Sequence, residues 1–123
     1  MQNNEMVSAT KNERKKERVY NLFVYGTLAL KEKQKELDMK FDSIVEYDYI
    51  KGYGLTEIQD EGTYLCARKK EDGIITGRVL VNVNLDECWC DIEEWEGENY
   101  EAVLVETEVN KMLCWVFVEK ENV

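Results

Sequence analysis

Histidine is missing from all 123 residues, and so is proline. Without histidine there is no Ser-His-Asp or Cys-His triad and no His-based zinc site. Acid–base chemistry, if there is any, falls to carboxylates, lysine or tyrosine. Phosphate-cradling glycine patterns are missing as well: neither G-x-x-x-x-G-K-[ST] nor G-x-G-x-x-G occurs. No apolar run is long enough to span a bilayer, and no signal-peptide core follows the N-terminus. Basic residues are outnumbered, 16 Lys and Arg against 26 Asp and Glu, for a formal net charge of −10. That balance argues against nucleic acid and against an anionic membrane surface as partners. The expected compartment is the cytoplasm. There Cys66, Cys88, Cys90 and Cys114 read as free thiols. Cys88 and Cys90 stand two apart, the wrong spacing for a CxxC metal knuckle or redox pair, so a structural role is expected and no metal site.

What is present is globular: 44% hydrophobic and 11% aromatic residues, in a length that suits one domain with a real core. Residues 1–18 are polar and without apolar periodicity, and read as a flexible arm before a domain over 19–123. The run Arg14-Lys15-Lys16 reads as solvated; a nucleic-acid role for so short a run is the weaker alternative. Val19 to Tyr25 is β-branched and aromatic, the pattern of a buried central strand. Ala29 to Leu37 suits a short charged helix with Leu30 and Leu37 on one face. Ser43 to Leu55 reads as a strand leading into Gly52-Tyr53-Gly54. Thr63 to Arg68 and Ile74 to Val83 read as two strands parted by a turn at Glu71-Asp72-Gly73. Leu85, Trp89, Ile92 and Glu96 recur at helical spacing, with Asn84 or Asp86 as N-cap and Gly97 as stop. Glu101 to Val109 and Met112 to Val118 close the chain as strands around Asn110-Lys111. The expected fold is α+β, mostly β with about two short helices.

Two stretches can carry chemistry. In Tyr25-Gly26-Thr27-Leu28 a glycine ends an apolar strand just before a helix. Glycine tolerates φ > 0, so successive N–H groups can turn outward into an anion-binding concavity. A plain strand-to-helix turn is the alternative. The second stretch is Asp91 to Tyr100, rich in glutamate. Most of these carboxylates read as a solvated helix end, but Glu96 stands four residues from Ile92 and seven from Trp89, on the apolar face. Desolvation there, and other acids nearby, would raise its pKa toward that of a useful general base.

Together these stretches resemble the gamma-glutamyl cyclotransferase-like family, which includes gamma-glutamylamine cyclotransferases. The resemblance runs through Phe23-Val24-Tyr25-Gly26-Thr27-Leu28, Gly52-Tyr53-Gly54-Leu55, Gly77-Arg78-Val79-Leu80 and Ile92-Glu93-Glu94-Trp95-Glu96-Gly97-Glu98-Asn99-Tyr100, in order over about Leu22 to Val118. It implies a small, mixed, mostly antiparallel β-barrel with short flanking helices and a cavity at its mouth. It places the catalytic Glu at Glu96 and the substrate-binding residues at Tyr25, Gly26, Thr27, Leu28 and Tyr100. The implied reaction is cofactor-free: the α-amine of a small γ-glutamyl compound attacks its own γ-carbonyl and releases 5-oxoproline and an amine. Two departures bear on the substrate: Ala102 where many members carry Arg, and Tyr64-Leu65 where many carry Tyr-Pro or Phe-Pro. A non-catalytic binding module on the same fold, and a deglutamylase acting on a biosynthetic intermediate or modified side chain, are the competing readings.

Overall fold

The computed structural model describes residues 17–59 and 63–121. Apart from Glu17 and Arg18, the expected N-terminal arm lies outside these residues. Strand β1 (Leu22–Val24) leads through a 3₁₀ turn (Thr27–Ala29) into helix α1 (Lys31–Glu36). Strands β2 (Ser43–Gln59) and β3 (Thr63–Val81), helix α2 (Leu85–Glu96), and strands β4 (Tyr100–Glu106) and β5 (Leu113–Glu119) follow. The five strands form one sheet in the order β2-β3-β1-β5-β4. All neighbours are antiparallel except β1 and β5. The fold is therefore mixed α+β, with β1 at the centre as its apolar run requires.

Alternation along the strands divides the core between the two sheet faces. Leu22 and Val24 of β1 and Trp115 and Phe117 of β5 pack with Trp89 and Ile92 of α2. Phe23, Val79, Val116 and Val118 point the other way, into a second cluster with Ile50, Ala67 and Ile75. That second cluster is built from strand residues, so the sheet buries it by wrapping over itself.

The wrap is barrel-like but is not closed by a ladder between β2 and β4. A carboxylate clasps it instead. Asp48 of β2 is fully buried. It accepts hydrogen bonds from the amides of Tyr49 (2.8 Å), Val109 (2.9 Å) and Asn110 (3.0 Å) and from Asn110 Nδ2 (2.8 Å). The Glu108 amide adds a bond to the Tyr49 carbonyl at 2.9 Å. The turn after β4 is thereby fastened to the opposite edge of the sheet. Burial pushes the Asp48 carboxyl up, but the donors around it, Val109 N–H, Thr107, Asn110 and Tyr49 N–H, outweigh this and hold it well below the usual carboxylate range.

Four expectations are corrected. The turn at Glu71-Asp72-Gly73 is not a turn: β3 runs unbroken through it. Lys51 pairs with Ile74 and Tyr53 with Lys69, so the intervening residues form a wide bulge opposite Gly52. Gly73 serves a close approach there, since a Cβ would collide with the Tyr53 carbonyl. Second, α1 begins at Lys31, and Leu30 is its exposed cap (57%) rather than a helix residue sharing a face with Leu37. The side chain that α1 buries is Gln34. Third, β2 continues past Leu55 to Gln59. Fourth, β4 stops at Glu106, because the following residues turn aside to meet Asp48.

Candidate active site

Glu96 arrives at its position by helical geometry. Leu85, Cys88, Trp89 and Ile92 form the buried stripe of α2, and Glu96 continues it one turn beyond Ile92. Trp89 anchors the stripe, with ring centroids 5.6 Å from Trp115 and 5.3 Å from Phe117. Asn84 occupies the N-cap position without capping a helix amide: its Oδ1 accepts the Lys40 amide at 2.8 Å, and its Nδ2 donates to the Asp38 carbonyl at 3.1 Å and to Glu87 at 3.0 Å. The start of α2 is thus tied to the segment after α1. Gly97 ends the helix at φ 91°, a left-handed conformation that side chains other than glycine strain to adopt.

The carboxylate of Glu96 meets the end of β1 around one cavity of about 340 Å³. Its floor is apolar, from Phe23, Val24, Leu28 and Phe117. Tyr25, Gly26, Glu96 and Tyr100 form its polar wall, and Thr27, Leu65 and Trp95 its rim. Every site residue expected from sequence lines this space. The volume lies at the small end of the range typical of ligand sites.

The electrostatics follow from burial. Desolvation pushes the Glu96 carboxyl up to about 7. Neighbouring acids, expected to help, do not figure among the causes, because the other glutamates of the segment point away into solvent or sit half-buried outside the cavity wall. Tyr25 is pushed well above its ordinary value, first by burial and then by the adjacent Glu96 charge. Its phenol donates to the Phe117 carbonyl at 2.6 Å, which fixes the ring against β5.

The loop opposite Glu96 is a 3₁₀ turn. Ala29 N–H bonds to the Gly26 carbonyl (2.9 Å) and Leu30 N–H to the Thr27 carbonyl (3.0 Å). The first amides of such a turn, at Thr27 and Leu28, have no partner within it. Gly26 has φ −130°, so the positive φ expected of it is not used. Its contribution is space: a Cβ there would meet nothing within 4 Å, and the residue lines the cavity. Gln34, nearly buried, donates to the Leu28 carbonyl at 2.9 Å and props the turn from below. Sequence reading passed over Gln34, although a lone uncharged polar residue among lysines and glutamates was the available signal. It also did not place Phe117 in the floor or Leu65 and Trp95 at the rim. Among the described residues no group of three or more Cys, Asp or Glu is arranged to hold a metal ion. No helix among them is long and apolar enough to cross a membrane.

Residues 22–123 match the family described as gamma-glutamyl cyclotransferase, AIG2-like, and the chain belongs to that family. A protein from Arabidopsis thaliana with a solution structure is 26% identical, with TM-score 0.63 over 84% of this chain and 71% of its own. An uncharacterised protein from Pyrococcus horikoshii is 22% identical, with TM-score 0.60 over 83% of this chain and 79% of its own. A structure named gamma-glutamyl cyclotransferase shares the fold at 14% identity, with TM-score 0.56 over 81% of this chain and 66% of its own. No curated protein matches.

Proposed function

We propose that the protein cyclises a small γ-glutamyl compound, with Glu96 as general acid and base. The observation that supports this most is the Glu96 carboxyl sharing one cavity with the glycine turn of Gly26, where desolvation pushes it up to about 7. The turn amides of Thr27 and Leu28 hold the substrate α-carboxylate or the developing oxyanion. Glu96 takes a proton from the α-ammonium. The freed amine attacks the γ-carbonyl of the same molecule and forms the carbon–nitrogen bond of the five-membered ring; as the old amide bond breaks, the extra proton on the ring nitrogen passes to the departing nitrogen. Glu96 returns the proton to the departing amine, so the enzyme ends as it began.

The attack is intramolecular by nature, and the cavity adds orientation by holding the γ-glutamyl chain in its cyclising conformer, a part of the roughly 7–11 kcal/mol that ideal placement is worth. Proton transfer by one positioned carboxyl adds about 10²–10⁴-fold. No metal or organic cofactor takes part in this scheme, and the reaction belongs to the cytoplasm. The test is 5-oxoproline release from γ-glutamyl amino acids, γ-glutamylamines and glutathione. Release from at least one of them is expected. Silence across the set, with one compound still raising the melting temperature, would instead assign a binding module.

A further inference from the structure

The rim of the cavity carries a feature that ring closure does not require. Leu65 and Trp95 both line the cavity, yet each is 44% exposed. Large apolar side chains left open beside a concave site mark a surface that a ligand covers. They come from different elements, Leu65 from β3 and Trp95 from the last turn of α2.

Trp95 is also held in place. The Lys33 ammonium lies 3.6 Å from its ring centroid, a distance at which the cation is attracted to the indole face. The same ammonium pairs with Glu36 at 2.6 Å, so α1 braces a side chain of α2. No lysine or arginine lines the cavity among the described residues. A leaving group that carries a carboxylate would therefore find Glu96 and two apolar side chains in the lining, and the ammonium beside the rim, Lys33, already paired with Glu36. A leaving group that is itself apolar would cover the rim.

We propose that Trp95 and Leu65 select γ-glutamyl amides whose leaving amine bears an apolar chain or ring, with Lys33 as the positioning residue that holds the indole at the rim. This rests on the cyclisation reading above. With the γ-glutamyl head between Gly26 and Glu96, the scissile amide directs its leaving side toward Leu65 and Trp95. Departure of the amine then uncovers the rim again.

Three substrates with one head separate the possibilities: γ-glutamyl methylamide, γ-glutamyl benzylamide and γ-glutamylglycine. The expected kcat/KM for the benzylamide exceeds that for the methylamide by at least about tenfold, the scale that a few packed carbons give in an apolar pocket. The difference should lie mainly in KM, and γ-glutamylglycine should be the poorest of the three. Trp95→Ala should collapse the benzylamide-to-methylamide ratio, Trp95→Phe should keep most of it, and Lys33→Met should reduce it. Thermal melting serves as the folding control. Equal kcat/KM for benzylamide and methylamide in the wild type would overturn the proposal. So would a Trp95→Ala protein that loses the same factor on both.

If no substrate releases 5-oxoproline, the cyclisation reading falls, and binding judges the rim. Isothermal titration calorimetry, which needs no reporter side chain, measures it in the wild type and in Trp95→Ala alike. Benzylamide binding at least about tenfold tighter than methylamide binding, and lost in Trp95→Ala, would sustain apolar selection at the rim. Equal binding would refute it.

Discussion

Replacing Glu96 by glutamine should stabilise the folded protein, and by an amount that depends on pH. The folded-state carboxyl titrates near 7, against 4.5 in the unfolded chain. The folded state therefore keeps its proton over a range in which the unfolded state releases it. By linkage, stability falls as pH rises through that range. The cost is nearly absent below about 4.5, grows between 4.5 and 7, and is complete above 7. A shift of that size corresponds to about 3 kcal/mol at most. Glu96 lines a cavity open to water, so a gain of roughly 1–3 kcal/mol from removing the charge is the reasonable range. For a domain of this length that is about 3–10 °C in Tm. The assay is thermal melting of wild type and Glu96→Gln in parallel from pH 4 to 8.5. The two should melt together near pH 4, and the variant should melt higher above pH 7. A difference that does not change with pH would show that Glu96 is not desolvated, and would remove the physical basis for its activation.

Asp48→Ala should cost about 3 kcal/mol or more in denaturant unfolding, since three backbone amides and the Asn110 side chain lose their acceptor. Because the Asp48 carboxyl is held below its ordinary value of 3.8, the stability it supplies is present above about pH 4 and lost as pH falls further; acid unfolding of Asp48→Asn should lack that component. Gly26→Val should keep the fold, because a Cβ there meets nothing within 4 Å, yet raise KM by about tenfold or more by intruding on the substrate's space. A double change of Cys88 and Cys90 to Ser should leave turnover largely intact, since neither lines the cavity, while buried Cys88 accounts for a stability loss of about 1 kcal/mol.

The parts of this fold that were legible in the sequence are those in which one local rule decides. The helix Leu85–Glu96 has both its buried stripe and its glycine stop written in order, and it is found with those bounds. The central strand was legible for the same reason, whereas the meeting of Glu96 with the Tyr25–Leu28 turn was expected from pairing the two motifs through the family resemblance. What stayed hidden depends on partners far along the chain. Glu71-Asp72-Gly73 carries the chemistry of a turn, but pairing with β2 on both sides holds it as a bulge. Asp48 looks like any acid in a β-run until the loop some 60 residues later supplies its donors. Leu65 stands in the sequence as a departure from the family pattern and Trp95 as a member of its glutamate motif, and only the tertiary arrangement leaves them both at the cavity.

The role of Glu96 is tested most directly by the turnover of Glu96→Gln on an accepted γ-glutamyl substrate at saturating concentration, with 5-oxoproline as the measured product. The amide preserves the shape of the side chain but cannot take a proton from the α-ammonium and return it to the leaving amine. A fall in kcat of at least about 10²-fold, with KM altered only a few-fold and the melting temperature equal to or above that of the wild type, is the expected outcome. A folded Glu96→Gln protein that turns over near the wild-type kcat would contradict it.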